Sequence, residues 1–408
     1  MLLASGTAAS AISGKMAAVS GSGPLELLVV QPTPFCNIDC SYCYLPNRRD
    51  TRKITAEVLE QTFKWTFRSG LVREPFTLLW HAGEPTVLPA SFYEKATVLL
   101  ERCNDSGFEV TQSFQTNATL INDAWCEFIK RRNVHIGVSV DGPAFLHDLH
   151  RKTRRGGGTF EKTRQGMRRL HDHGIDFNTI SVLTADSLAY PDELFDFFVE
   201  SGVTSVSFNV EEIEGPNVAS SLAESGTEER FRRFYSRFLD LVLAGGQRME
   251  VREFNTARGA MAHRLVPGFR TQESRPFAIL NVDCEGNFST YSPELLGLSG
   301  PRHGNFAFGN VARDSLEAVL AEPRFIALDD EIRRGVERCH ETCSYAPFCG
   351  GGPPGNKFFE NGDFATTETM SCRLHKQVTF DVALNKLERF AAGEERIAAA
   401  PEGLAAAQ

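Results

Sequence analysis

Along the first two-thirds of the chain, apolar positions alternate between two periods. Short β-rich runs fall at residues 26–31, 76–81, 111–116, 134–140, 177–183 and 203–210, each about one strand long. Between them, segments 55–69, 91–103, 123–131, 160–173, 191–201 and 227–244 repeat apolar residues at helical spacing, as in Leu59, Phe63 and Phe67 or Leu194 and Phe198. Six strand–helix repeats predict a parallel sheet with right-handed crossovers. They are too few to close an eight-stranded barrel. The expected fold class is therefore α/β, a partial (β/α)6 TIM-like barrel with a functional face at the carboxyl ends of its strands.

From about Arg275 the rhythm changes to short β segments, glycine turns and cysteines. Residues 281–292 read as a hairpin turning at Glu285-Gly286-Asn287. Residues 339–373 read as a loop organised by metal, and a last helix is expected over 375–392. The division expected is a disordered leader (1–24), the barrel (25–245), a bridging region (246–274), a Cys-rich domain (275–373), and a final helix with a frayed tail (374–408).

Composition narrows the function. Of 408 residues, 42% are hydrophobic and 23% charged, ordinary values for a globular protein. No apolar run approaches the roughly 20 residues that span a bilayer, and a net charge of -9 argues against a nucleic-acid partner. Residues 1–24 show neither the basic nor the apolar region of an export signal. The ten cysteines are clustered, three within eight positions and four between Cys339 and Cys372. Without export, clustered cysteine points to metal ligation in the cytoplasm rather than to disulfides. The 31 phenylalanines fit either an apolar peptide groove or an ordinary core.

The first cluster is Cys36-x3-Cys40-x2-Cys43, just after the first strand. Three thiolates can hold three irons of a cubane and leave the fourth iron open. Structural zinc wants four ligands, and no fourth Cys or His lies close by. This loop resembles the radical S-adenosylmethionine superfamily, which implies that the open iron binds S-adenosylmethionine and that reductive cleavage yields a 5′-deoxyadenosyl radical. The resemblance extends over about 25–245. His81-Ala82-Gly83-Glu84-Pro85 is similar to the Gly-Gly-Glu-Pro segment that holds the methionine ammonium, with Ala82 in place of the first Gly. Ser139-Val140-Asp141-Gly142 resembles the Ser-x-Asp-Gly cofactor segment, and Arg151 matches the arginine that pairs with the methionine carboxylate. Arg151 equally reads as one of a surface basic run at 151–155. Tyr42 matches an aromatic near adenine, and Gln115-Thr116-Asn117 resembles a Thr-Asn-Gly segment facing the site.

The second cluster, Cys339-x3-Cys343-x5-Cys349 with Cys372, is followed at Cys349 by three glycines. Four thiolates complete either a cubane or a zinc site. The region resembles the SPASM extension of peptide-modifying radical enzymes, but Tyr291 and Pro353 stand at two of its cysteine positions. The resemblance implies one auxiliary 4Fe–4S cluster on Cys339, Cys343, Cys349 and Cys372, with Cys284 left over. Cys103 and Cys126 read as small core residues.

Residues 28–48, 78–88 and 343–372 are most similar to the cyclophane-forming radical SAM/SPASM peptide maturases of Gly-rich repeat (Grr-type) precursors, the last stretch including Gly355-Asn356-Lys357 and Glu368-Thr369-Met370. That resemblance implies a ribosomal precursor peptide, Gly-rich with aromatic-x-x motifs, whose aromatic ring carbon is joined to the β-carbon of a nearby residue. It also implies a reductase or a flavodoxin- or ferredoxin-type electron donor. The ring must lose a proton, for which Asp283, Glu285 and Glu294 are candidate bases by their nearness to the hairpin. Alternatives are a formylglycine-forming anaerobic sulfatase maturase, whose Asp after the cysteine aligned with Tyr291 is Ser292 here, and a thioether-forming maturase. From another class, a non-catalytic iron–sulfur or zinc scaffold is possible on the cysteines alone.

Overall fold

The structure is a computed structural model that describes residues 22–245, 249–262 and 268–393. Most of the expected leader, part of the bridging region and the tail beyond residue 393 lie outside the described residues. All six expected strands are present: β1 (Leu27–Val30), β2 (Phe76–Trp80), β3 (Val110–Thr116), β4 (His135–Ser139), β5 (Phe177–Leu183) and β6 (Ser205–Val210). Each pairs in parallel with the next. Helices α1 (Ala56–Arg68), α2 (Ala90–Cys103), α3 (Asp123–Arg132), α4 (Phe160–Asp172), α5 (Pro191–Glu200) and α6 (Thr227–Ala244) alternate with them along the chain. Local chemistry sets several ends. Thr55 caps α1 by accepting from Val58 N, Asn122 caps α3 by accepting from Trp125 N, and Asn133 ends α3 in the left-handed region.

Aromatic side chains fill the space between sheet and helices. Trp80, Tyr93, Phe114, Trp125 and Phe128 pack mostly edge-on, and Phe208 does the same with Phe198, Phe234 and Phe238. All are buried, each contributing on the order of 2 kcal/mol from burial. The high phenylalanine content is thus mainly core.

The sheet does not stop at six strands. Beyond β6 lies β7 (Glu250–Val251), and beyond β1 lies β8 (Ile279–Val282), again parallel. β9 (Asn287–Thr290) returns antiparallel to β8, and β10 (Gly309–Asn310) follows, giving a ten-stranded sheet among the described residues. The expected hairpin is therefore continuous with the barrel sheet. Leu280 and Val282 line up with Leu28 and Val30, burying apolar residues on both sides of the seam.

Residues 339–373 are more helical than the metal-organised loop expected. Cys339 lies in α7 (Pro323–Thr342), followed by α8 (Ala346–Cys349), α9 (Pro354–Asn361) and the turn Met370–Cys372. Pro near the start of α8 and α9, and left-handed Gly350 and Gly362 after them, make helices too short for a periodic signal. The last helix, α10 (Thr379–Ala391), enters through a π-helical turn at Arg373–Val378, directly after Cys372. Among the described residues no helix is long and apolar enough to cross a membrane.

Candidate functional site

The first cysteine loop follows β1 and is tied down on both sides. Its short strand Ile38–Cys40 pairs antiparallel with Arg151–Thr153, placing Cys40 opposite Arg151. Cys36 N donates to Arg48 O at 3.1 Å, and Arg48 pairs with Asp39 at 2.6 Å. Arg154 Nε and Nη2 both donate to Cys36 O, at 3.1 and 2.6 Å, and its guanidinium sits 5.0 Å over the Phe35 ring. Arg48 and Arg154 were not singled out from sequence. Burial pushes the Cys40 thiol up to about 12, Arg151 pulling the other way, and burial also raises Cys36. Protonated thiols of this kind become good ligands when a metal displaces the proton.

The expected cofactor residues gather around this loop, though several are engaged with one another. Buried Asp141 accepts from Arg151 Nε and Nη2 at 2.9 and 3.0 Å, from Val182 N at 3.0 Å, and from the Tyr42 hydroxyl. Burial would raise its carboxyl, but Arg151 holds it below the usual range. Arg151, read either as a surface cation or as the partner of a methionine carboxylate, is here a buried partner of Asp141, and that pair leaves Nη1 unused. Glu84 is buried and saturated on one side: Oε1 accepts from Thr86 N at 2.9 Å and Thr116 Oγ1 at 2.6 Å, and Oε2 accepts from Asn117 N at 2.8 Å. It thereby clamps the ends of β2 and β3 together. Asn117 Nδ2 in turn donates to Asn37 Oδ1 at 2.9 Å and reaches Cys36 Sγ at 3.8 Å. Ser139 accepts from Gln115 Nε2 at 2.7 Å.

At the end of β2 the backbone itself forms a cradle. Ala82 has φ 64° and Gly83 φ 114°, and a Cβ on Gly83 would lie 2.2 Å from Thr33 O. Ala82 thus stands in a left-handed position that favours glycine, which explains why the resembling segment carries Gly there. His81 Nε2 lies 3.1 Å from the Tyr44 hydroxyl, while its buried Nδ1 has no partner. Burial drops its ring to about 4. An orphaned buried nitrogen beside a cysteine loop fits a site built for a polar ligand.

A cavity of about 980 Å³ carries all four downstream cysteines on its wall, Cys339, Cys343, Cys349 and Cys372. Gly350, Gly351 and Gly352 all have positive φ, and a Cβ on Gly350 would meet Thr271 N at 2.9 Å. Lys357 Nζ donates to Cys339 Sγ at 3.4 Å and Gln377 Nε2 to Cys372 Sγ at 3.7 Å. Four soft donors with amide and ammonium hydrogen bonds suit an iron–sulfur cluster. Among the described residues no group of three or more Cys, His, Asp and Glu is arranged as a ready single-ion site.

The same cavity holds Glu212, Glu214 and Glu294. Asn356 Nδ2 donates to Glu212 Oε1 at 3.0 Å and to Glu214 Oε1 at 3.2 Å, and Ser292 donates to Glu294. Burial and the Glu294 charge lift Glu212 to about 7, and burial raises Glu214 and Glu294 as well. Of the three candidate bases, only Glu294 reaches the cavity. Asp283 is a turn residue accepting from Glu285 N and Asn287 N, and Glu285 is an exposed partner of Arg52 at 2.6 Å. The hairpin turn that carries Asp283 and Glu285 is not part of the cavity lining. Glu212 and Glu214 were missed, although acids just past the end of a barrel strand are a readable signal. Among the described residues Phe269 is the one phenylalanine on the cavity wall, so phenylalanine contributes little to its lining. Tyr291, at an expected cysteine position, is buried with its hydroxyl on Asp329 at 2.8 Å. Cys284 is buried away from the cavity, and Cys126 sits in the core.

The Radical SAM superfamily profile matches residues 30–198, the span from the cysteine loop through Asp141 and Arg151. Uncharacterized protein sll1766 of Synechocystis sp. is 41% identical over 377 residues, 91% of this chain and 94% of its own length. The chain belongs to the radical SAM superfamily. It is an enzyme of that superfamily, whose cofactors are S-adenosylmethionine and a 4Fe–4S cluster. The serine-type anaerobic sulfatase-maturating enzyme of Bacteroides thetaiotaomicron is 32% identical over 190 residues, 45% of this chain and 46% of the relative, so this radical SAM chain matches it over about half its length. Among solved structures, native anSMEcpe with bound AdoMet and Cp18Cys peptide superposes with TM-score 0.74 at 20% identity, covering 91% of this chain and 100% of that one. Streptococcus suis SuiB bound to precursor peptide SuiA gives 0.62 at 16% identity, covering 89% and 80%. At these identities the likeness is one of fold, and it includes the region after the barrel.

Proposed function

We propose that this enzyme matures a ribosomally made precursor peptide, joining an aromatic ring carbon to the β-carbon of a nearby residue to form a cyclophane. The observation that carries the reading is the cavity of about 980 Å³, which sets the carboxylates of Glu212, Glu214 and Glu294 and four cysteines around one space large enough for a peptide segment. The fold likeness to anSMEcpe with a bound peptide and to SuiB with a precursor peptide supports a peptide substrate.

In this reading Cys36, Cys40 and Cys43 hold the first cluster, and Cys339, Cys343, Cys349 and Cys372 hold an auxiliary one. Bound there, the first cluster and S-adenosylmethionine supply a carbon radical able to abstract an unactivated β-hydrogen. The chain's own residues do the rest. The Gly83 cradle and the free Nη1 of Arg151 offer backbone oxygen and cation to the two ends of the methionine group. Tyr42, His81, Ser139 and Asn117 line its seat, and Glu84 and Asp141 act by fixing those donors. Once the β-carbon has added to the ring, the ring proton must leave. Glu212 is poised for that, because burial and the Glu294 charge lift it to about 7, and Glu214 and Glu294 beside it are raised by burial as well.

A second reading is formylglycine formation, favoured by the sequence likeness to sulfatase-maturating enzymes over half the chain. Coexpression with an aromatic-x-x precursor followed by mass spectrometry separates the two. Crosslinking removes a pair of hydrogens and ties two residues into one fragment. The same loss confined to one Ser, with a hydrazide-reactive aldehyde and no link, would reject the cyclophane, as would a Cys that exchanges its sulfur for that aldehyde oxygen.

A further inference from the structure

Lys357 lies in α9 with only 3% of its surface exposed. A buried ammonium normally sits against a carboxylate, since desolvating a cation is costly. Among the described residues no carboxylate is paired with it. Its hydrogen bond goes to Cys339 Sγ at 3.4 Å, on the cavity wall where Cys343, Cys349 and Cys372 also lie. A neutral thiol is a weak acceptor and a poor partner for a buried cation. A metal-bound thiolate is a good one. The neighbouring residue, Asn356, turns to Glu212 and Glu214, so successive residues of one helix address the carboxylates and the cysteines.

We propose that Lys357 is a positioning residue that raises the reduction potential of the auxiliary cluster, so that this cluster takes up the electron released when the crosslinked ring regains aromaticity. The proposal rests on the cluster assignment given above for Cys339, Cys343, Cys349 and Cys372. The balance is simple: the ring adduct gives up one electron to the oxidised cluster and one proton to a cavity carboxylate. A fixed positive charge and an N–H···S bond at one ligand both favour the reduced, more negative cluster. Removing them makes the cluster a weaker acceptor.

The test uses the full chain with Cys36, Cys40 and Cys43 all changed to Ala, so that the auxiliary cluster alone gives a signal. Redox titration followed by electron paramagnetic resonance reads its midpoint potential without any turnover. Lys357→Met and Lys357→Gln are expected to lower the reduction equilibrium about tenfold, which is about 59 mV for one electron, and Lys357→Arg to stay near the parent. Equal midpoints in parent, Met and Gln overturn the proposal. Loss of iron from both neutral variants also overturns it, making Lys357 an assembly residue. If the parent background itself holds no cluster, the failure lies in the ligand assignment, and an iron assay reports it before any potential is measured.

Discussion

Changing Asp141 to Asn tests whether the buried Asp141–Arg151 pair, rather than the cysteines themselves, holds the loop in shape. Each carboxylate oxygen receives two donors: Oδ1 takes Arg151 Nη2 and Val182 N, and Oδ2 takes Arg151 Nε and the Tyr42 hydroxyl. Whichever oxygen becomes an amide nitrogen then faces Arg151 donor to donor. The guanidinium, with 6% of its surface exposed, is left without a counter-charge. Breaking a buried pair from one side costs about 3–5 kcal/mol, a large share of the roughly 5–15 kcal/mol that holds a folded protein together. Thermal unfolding should drop by about 4–6 °C. Adding Arg151→Met removes the stranded cation, so the double variant should be at least about 2 kcal/mol more stable than the sum of the single losses. The sign with pH follows from the depressed carboxyl: the pair stabilises above the unfolded value of 3.8 and the contribution is lost as pH falls below it. A loss under about 1 kcal/mol for Asp141→Asn, or strict additivity with Arg151→Met, would refute the reasoning.

Three other outcomes are expected. Gly83→Ala combines φ 114° with a contact at 2.2 Å to a backbone oxygen that cannot swing aside, so it should abolish S-adenosylmethionine binding in equilibrium dialysis while Gly259→Ala, with open space around it, does not. Cys372→Ala should reduce reconstituted iron from about eight to about four per chain, whereas Cys284→Ala should leave it unchanged, as read by a colorimetric iron assay. His147 is buried and burial holds it at about 4, so between pH 6.5 and 4 the unfolded chain takes up a proton that the folded one refuses; stability should fall as pH drops through that window, by up to about 3 kcal/mol, and His147→Gln should flatten the dependence in denaturant titrations.

What the sequence disclosed follows from range. Strands such as Phe177–Leu183 and helices such as Phe160–Asp172 declare themselves because their periodicity extends over several residues. The cysteine loop and the Gly83 cradle were legible because their chemistry is local. Arg154 was not, since its partners are the carbonyls of Cys36 and Arg48, more than a hundred residues earlier. Asp283 and Glu294 looked alike in sequence, and only the three-dimensional course of the hairpin separates a turn cap from a cavity wall. The short helices around Cys349 escaped because one turn bracketed by Pro and Gly has no periodic pattern to read.

The parallel seam between β1 and β8 bears on how this chain can be dissected. A fragment ending before Ile279 would bare the outer edge of Leu27–Val30, four apolar residues whose backbone groups pair with β8 in the intact protein. Such an exposed edge invites pairing with other chains. Expressing the barrel alone should therefore yield insoluble material rather than a minimal catalyst, and the spacing between the two cysteine regions is governed by a continuous hydrogen-bonded ladder instead of a linker that could be lengthened or cut.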